Sequence, residues 1–585
     1  MSDRVFYIPK QSATYSDALI LYGLAALLDS LCRTVKGAEA RWRLTLEDAV
    51  SHYVLRLDTD LPLDKVSTLT SPAPYIASSD APAPKGLPVR SVPKTLKDIK
   101  TWDEQRRMLA DKADKKGSTD LEQQLRDHAP PSDAAVVLFV GDSKMQAVGI
   151  YNRLVAQWPK LEAHLSKHLK AIFKLFATPD ADVQSVLASW RKLAKQDDIK
   201  QKETASQLLN PHRGMGANKL KANALRIEKV KDCLWPVEFL KTVGLWYGVA
   251  PRRTIDTNDW KVYVVAPLRI TWQEFRAAFA EFNRYLWREG GQTTLKTDIT
   301  SVLLLYRAWL NYVEAAASDQ SSSGLLLSPE AVIAGFYVAQ FKLLSRQAYT
   351  MLNLSFLSTP AWGMHLRNRD DVLALQEVID EHLDVVRGVD ETRSSGFDLL
   401  RRYRDFLSTG DWQAFFDFAA GYGQEILRRL NEGRRSVPLF SVMRLKRLIM
   451  SNNRKDLTQI VENVGFQNVA YAIRHATVIP QSRKARGQDA LYEVRYGLGA
   501  ELKRKSAVRD EFVVALTDFI QSYNQENAQK LESTNRQLRR DIRTNDIAEV
   551  VRLIDEYGAE LVANLLIAFG YARESREEQE EQPAA

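Results

Sequence analysis

The sequence predicts an α+β protein: a mixed α/β N-terminal domain, a predominantly α-helical middle region and an all-α C-terminal bundle. Three observations carry that expectation. The first 60 residues alternate strand, helix and strand. Trp260 to Ala266 (WKVYVVA) is the last segment with clear strand character. Beyond it nearly every segment repeats its apolar residues at helical spacing.

Val5-Phe6-Tyr7-Ile8 is a short strand stopped by Pro9. Asp17 to Val35 is helical, with Leu19, Tyr22, Leu24, Leu27, Leu28 and Leu31 on one broad face. His52 to Leu57 alternates like a half-buried strand. Six prolines between 72 and 93 predict a long irregular loop. The charged stretch 110–133 reads as a mobile helix or a disordered insert. Ala134 to Gly141 (AAVVLFVG) reads as a buried strand, and 150–176 as helix. Further helices are predicted over 271–288, 295–317, 328–353, 368–387, 394–408, 411–431, 436–452, 455–475, 487–504, 507–529 and 545–572. Short connectors such as Gly410-Asp411, Gly433, Val437-Pro438 and Gly558 separate them. The expected divisions are a mixed domain 1–235, a helical middle 236–432, a basic bundle 433–573 and an acidic tail 574–585.

Composition narrows the function classes. The 585 residues carry 81 Lys+Arg against 73 Asp+Glu, a net charge of +8. That excess matters only where it clusters. Two cysteines, Cys32 and Cys233, exclude a disulfide scaffold and a Cys-rich zinc site, and they fit a reducing cytoplasm. The opening MSDRVFYIPKQ lacks the basic-then-apolar pattern of a signal peptide. The apolar run Ala18 to Leu31 is about 14 residues, short for a bilayer.

The search for catalytic motifs is mostly negative. Gly141-Asp142-Ser143-Lys144 lacks the first glycine and the ending of a phosphate-binding loop. Gly497-Leu498-Gly499 has two of the three dinucleotide glycines and no strand before it. His164 and His168 have metal-pair spacing but no third ligand nearby in sequence, and read as exposed helix histidines. No catalytic residue, metal site or cofactor is expected.

Two segments concentrate positive charge. Lys195 to Lys231 holds nine Lys/Arg against four acids. At its centre Asn210-Pro211 leads into a stretch with Arg213, Gly214, Gly216, Asn218, Lys219 and Lys221. Glycines permit close backbone approach, Asn amides can read base edges, and the cations can neutralise phosphates. A solvated basic connector is the plainer alternative. The second segment, Arg434 to Lys505, holds fifteen basic residues against five acids, more net charge than the whole chain. Arg483, Lys484 and Arg486 fall in an expected Pro- and Gly-bounded loop; Lys503, Arg504 and Lys505 end a helix. Such a face suits sequence-independent binding of a phosphate backbone. Trp235, Trp246, Tyr247, Trp260, Trp272, Trp287 and Trp309 are assigned to the core.

Four features resemble the large subunit of type I CRISPR Cascade complexes, of the subtype I-B kind. They are Tyr22-Gly23-Leu24-Ala25-Ala26-Leu27 after the opening strand, the Asn-Pro…Gly-x-Gly-x-Asn-x-x-Lys stretch at 210–221, Trp235-Pro236-Val237-Glu238-Phe239-Leu240-Lys241, and a small-subunit-like helical region from about 434 to 573. The CxxC…CxxC zinc module of many relatives is missing. The resemblance implies a non-catalytic, cytoplasmic subunit of a crRNA-guided complex. It would recognise the protospacer-adjacent motif in double-stranded target DNA, help open the duplex, and recruit a separate helicase-nuclease. Its partners would be crRNA, target DNA, and the backbone, handle-binding and small subunits. Asn218 would be the first candidate base reader and Asn210 the second. In such relatives the small subunit can arise by internal translation; Met443 and Met450 are the nearest in-frame methionines. A helical adaptor without nucleic-acid specificity, or a nuclease with a dispersed active site, remains the alternative.

Overall fold

A computed structural model describes residues 5–574, except 13, 38–39, 80–83, 117–119, 122–123, 125–127, 132, 180–182, 201, 204–205, 212–232, 319–325, 346–347, 361–365, 435–436 and 452–453. The chain divides into two compact units. Unit 1 is Met1–Thr294, Leu304–Tyr312 and Pro329–Thr359; unit 2 is Leu295–Leu303, Val313–Ser328 and Pro360–Ala585. The strands lie in unit 1 and unit 2 is helical, so the architecture is α+β.

Two antiparallel four-stranded sheets frame unit 1. One uses β1 (Val5–Pro9), β2 (Leu44–Asp48), β3 (His52–Leu57) and β6 (Arg269–Thr271), in the order β1-β3-β2-β6. The other uses β4 (Val249–Arg253), β5 (Trp260–Pro267), β7 (Ile333–Ser345) and β8 (Ala348–Ser358), in the order β8-β7-β5-β4. The helices that matter below are α1 (Tyr15–Lys36), α2 (Val92–Lys116), α3 (Ala134–Gly141), α4 (Trp235–Gly248) and α5 (Trp272–Arg288).

Helix α1 starts where the Thr14 side chain accepts from Ser16 N. It is 22 residues long, and by length and apolarity it could cross a membrane; 72% of its apolar window is buried inside the protein. It packs directly on α4. A Cβ on Gly23 would lie 1.9 Å from Leu240 O, and one on Gly244 would lie 2.1 Å from Leu19 O. Each glycine therefore lets the other helix's backbone touch. Helix α5 begins with a reciprocal capping box between Thr271 and Glu274. Its buried row Trp272, Phe275, Phe279, Phe282 follows the apolar spacing legible in the sequence.

Unit 2 contains α6 (Arg369–Gly388), α7 (Ser394–Thr409), α8 (Trp412–Asn431), α9 (Val442–Met450), α10 (Val464–Ala476), α11 (Val478–Ala485), α12 (Leu498–Lys505), α13 (Arg509–Thr534), α14 (Thr544–Tyr557) and α15 (Ala559–Gly570). Residues 360–432 and 433–574 belong to this one unit: α8 packs on α11, α12 and α15. Phe415, Phe418, Tyr403, His382 and Phe440 form an aromatic cluster in its core. Met443 and Met450 both lie within α9.

Several expected elements differ. Ala134–Gly141 is a helix, not a strand. A short apolar run fits either state; here Ala135, Leu138 and Gly141 form the less buried face, a spacing of three. The predicted helix 328–353 is largely the hairpin β7–β8. Strand β7 is central and pairs with both β5 and β8, so both its faces carry apolar residues and no alternation shows. The predicted helix 487–504 is helical only from Leu498. Leu491 has φ of +65°, and its N–H donates to Asp489 Oδ1 at 3.1 Å, a local turn that excludes helix there. Pro480, Arg483 and Lys484 lie in helix α11, not in a loop, and Arg486 is its C-cap residue. Pro480 sits in the first turn, where its missing N–H leaves no ladder bond unmade. His168 is not exposed: it is fully buried, with Nε2 2.6 Å from Asp197 Oδ2, while His164 Nδ1 is 2.9 Å from Asp197 Oδ1. The tail beyond Glu574 lies outside the described residues.

Candidate nucleic-acid interface

The first basic segment is anchored by a buried polar triad. Asn210 Nδ2 donates to Glu238 Oε2 at 2.8 Å, and Lys241 Nζ donates to Asn210 Oδ1 at 2.5 Å. Lys241 and Glu238 form an ion pair at 2.6 Å. All three residues are buried, which places a carboxylate and an ammonium out of water but hydrogen-bonded within the triad. Glu238 and Lys241 are one helical turn apart on α4. Ser16, at the start of α1, adds a contact from its Oγ to Asn210 Oδ1 at 3.5 Å, and Tyr15 Oη donates to Leu208 O at 2.9 Å.

This triad joins segments far apart in sequence. Asn210 opens the 210–221 stretch, Glu238 and Lys241 belong to the Trp235–Lys241 patch, and α1 carries Tyr22-Gly23-Leu24. The geometry corrects one assignment. The Asn210 amide faces inward onto Glu238 and Lys241 and is not presented to a base edge. Arg213, Gly214, Gly216, Asn218, Lys219 and Lys221 lie outside the described residues.

The second basic segment splits by pairing. Lys503 donates to Asp417 Oδ1 at 2.8 Å and Glu560 Oε1 at 3.2 Å, tying α12 to α8 and α15. Lys505 pairs with Glu511 at 2.7 Å. Arg504, between them, is exposed and its side chain has no ion pair or hydrogen bond among the described residues. Around α11, Arg483 is half-buried and its Nε donates to Asp489 O at 2.8 Å, with no carboxylate partner among the described residues. Lys484 and Arg486 are exposed, and their side chains are likewise unpaired among those residues.

Arg483 and Arg486 line a cleft of about 860 Å³ within unit 2. Its walls are mixed in sign. Glu381 is buried and accepts from Ser441 N at 2.9 Å, Arg444 at 3.0 Å and Arg573 at 3.4 Å. It thus joins α6 to the start of α9 and to the chain after α15. Arg387, at the end of α6, also lines a second cleft of about 380 Å³ with Lys296, Arg393, Arg428, Arg429 and Arg434. Glu425 tempers that group. Burial pushes its carboxyl up, but hydrogen bonds from Arg428 and Arg429 outweigh burial and hold it below the ordinary range. Arg387, Arg393, Arg428 and Arg429 were not singled out in sequence because they precede residue 434. Arg387, Arg428 and Arg429 occupy last turns of helices, where cations suit the helix dipole, and that position was a usable signal.

In comparisons with known proteins, no family model matches this chain and no curated protein matches it.

Proposed function

We propose that the chain is the non-catalytic large subunit of a type I, crRNA-guided CRISPR interference complex. In this role the segment Asn210 to Asn223 recognises the adjacent motif in duplex DNA. The outward cations of unit 2 hold nucleic-acid backbone as the duplex opens, and a separate helicase-nuclease is recruited to cut. The observation that supports the reading is the buried triad Asn210–Glu238–Lys241. Two of the sequence features that resemble the family, the 210–221 stretch and the Trp235–Lys241 patch, meet in it, and Ser16 of the helix that carries the Tyr22–Leu27 feature contacts Asn210. Asn210 becomes the fixed foot of the segment, and Asn218 is left as the candidate reader. Lys484, Arg486 and Arg504, unpaired among the described residues, suit sequence-independent backbone binding. Base pairing with the guide would supply the remaining specificity.

Sequencing the RNA that co-purifies with the tagged full chain from its own host tests this. Repeat-derived guide RNAs should dominate, together with backbone and handle-binding subunits in the same preparation. A chain that arrives with neither is not a subunit of such a complex. Given the complex, Asn218→Ala should lose about 1–3 kcal/mol of discrimination among adjacent motifs, while Lys219→Ala should weaken all duplexes alike.

A further inference from the structure

Unit 1 contains a cavity of about 590 Å³ whose walls combine indole rings and cations. Trp102, Trp260 and Trp287 line it together with Lys144, Arg252 and Arg253. The residues arrive from four places: α2, the turn after α3, the β4–β5 pair, and the end of α5. The turn is the Gly141-Asp142-Ser143-Lys144 stretch that fails as a phosphate-binding loop by sequence. The less buried face of α3 forms part of the wall, through Ala135, Leu138 and Gly141.

The walls are fixed in place. Trp260 Nε1 donates to Asp142 Oδ2 at 3.0 Å, so this carboxylate is engaged by the ring. Trp102 and Trp287 meet edge-on with centroids 6.0 Å apart. Arg252 donates to Gly290 O and lies 5.8 Å from the Trp287 ring centroid; Arg253 lies 6.0 Å from that of Trp260. Burial pushes the Arg252 guanidinium down to about 10, still charged at neutral pH. The cavity also has unused polar capacity. Lys144 has no side-chain partner among the described residues, and exposed Arg253 reaches only the Tyr349 hydroxyl, at 3.5 Å.

Aromatic walls bury a flat ring, and unpaired cations beside them call for an anion attached to that ring. The size lies within the usual range for a small-ligand pocket, about 300–1,000 Å³. We propose that this cavity binds a nucleoside phosphate, with the base against the tryptophan walls and the phosphate at Lys144, Arg252 and Arg253. The same chemistry is offered by a free mononucleotide and by one unstacked nucleotide of a single strand. The proposal needs no guide RNA and does not rest on the function proposed above.

Tryptophan fluorescence of the full chain, titrated with AMP, with ribose 5-phosphate and with a short single-stranded oligonucleotide, tests it. Saturable quenching by AMP that ribose 5-phosphate does not reproduce identifies a free nucleotide as the ligand. Quenching by the oligonucleotide alone identifies a nucleotide within a strand. In either case the double variant Lys144→Ala/Arg253→Ala should weaken binding about tenfold or more. Neither side chain is buried, so the variant should keep the melting temperature of the parent. Three results overturn the proposal: no quenching by AMP or oligonucleotide, equal binding of ribose 5-phosphate, or unchanged affinity in a folded double variant.

Discussion

The two basic segments look alike in sequence and differ in what their polar groups do. The described end of the first points inward: Asn210 spends its amide on a buried Glu238–Lys241 pair. The second points outward at Lys484, Arg486 and Arg504, yet withholds Lys503 and Lys505, which are tied to Asp417, Glu560 and Glu511. A count of cations therefore overstates the charge available to a partner. Partners within the fold decide which cations are free, and for Lys503 those partners, Asp417 and Glu560, lie far away in sequence.

The largest expected effect breaks the inward side of this contrast. Glu238→Ala leaves the Lys241 ammonium buried without its carboxylate. Removing one member of a buried pair costs about 3–5 kcal/mol. Unit 1 should melt far earlier, by differential scanning calorimetry, while the transition of unit 2 stays in place. An unchanged first transition would mean that water reaches the pair. Asn210→Ala should cost less, about 1–3 kcal/mol, because it orphans hydrogen-bonding groups without stranding a whole charge. If Asn210→Ala instead alters motif preference with no loss of stability, the inward assignment is wrong.

Acid separates the buried groups of unit 2 in another way. His382 is fully buried, with Nδ1 2.6 Å from Tyr403 Oη, and burial pushes its imidazolium pKa down to about 3. The unfolded chain binds this proton near pH 6.5, the folded chain only near 3. Between those values the unfolded state holds more protons, so stability falls as pH falls. The full contribution is present above about pH 6.5 and is lost progressively toward about pH 3. The slope for one histidine is about 1.4 kcal/mol per pH unit. His475 is pushed down to about 3 as well, chiefly by burial and then by Arg474, Arg539 and Arg540, and adds to the slope. Denaturant midpoints of His382→Leu should show a shallower pH dependence than the parent, even though the variant is less stable at pH 8. Parallel curves would remove His382 as a source of acid sensitivity.

Much of the fold was legible, for reasons visible in single residues. Tyr15–Lys36 and Trp272–Arg288 keep an uninterrupted apolar face, and Gly558, with φ of +91°, breaks 544–570 where its sequence suggested. What failed was decided at a distance. Strand β7 needs β5 and β8 beside it to become a strand, and the short apolar run of α3 fits a buried strand as well as a helix until its surroundings decide which residues stay open. The site divided along the same line. That Asn210 and Arg486 were polar residues of interest was local information. That one is buried on Glu238 while the other stays exposed was not. The Trp102–Trp260–Trp287 cavity was hidden because Trp102 lies more than 150 residues before the other two and each alone looks like core.

The smallest expected effect lies within helix α12, where neighbouring cations have opposite assignments. Arg504 is exposed and unpaired among the described residues; Lys503 holds two carboxylates from α8 and α15. If Arg504 meets a phosphate, Arg504→Ala removes one released counterion, and the slope of log affinity against log salt should flatten by about 0.9 for duplex DNA. Stability should stay within about 0.5 kcal/mol, as for an ordinary surface substitution. Lys503→Ala should do the reverse. It leaves the slope unchanged and costs about 0.2–1 kcal/mol, because a half-exposed ion pair is screened by water and its loss leaves two carboxylates that water can still reach. Filter binding at several salt concentrations, with melting curves on the same preparations, reads both quantities for both variants. Equal slopes for Arg504→Ala and the parent would show that an unpaired cation here is only a solvated one. A flattened slope for Lys503→Ala would show that its two ion pairs open to let nucleic acid in.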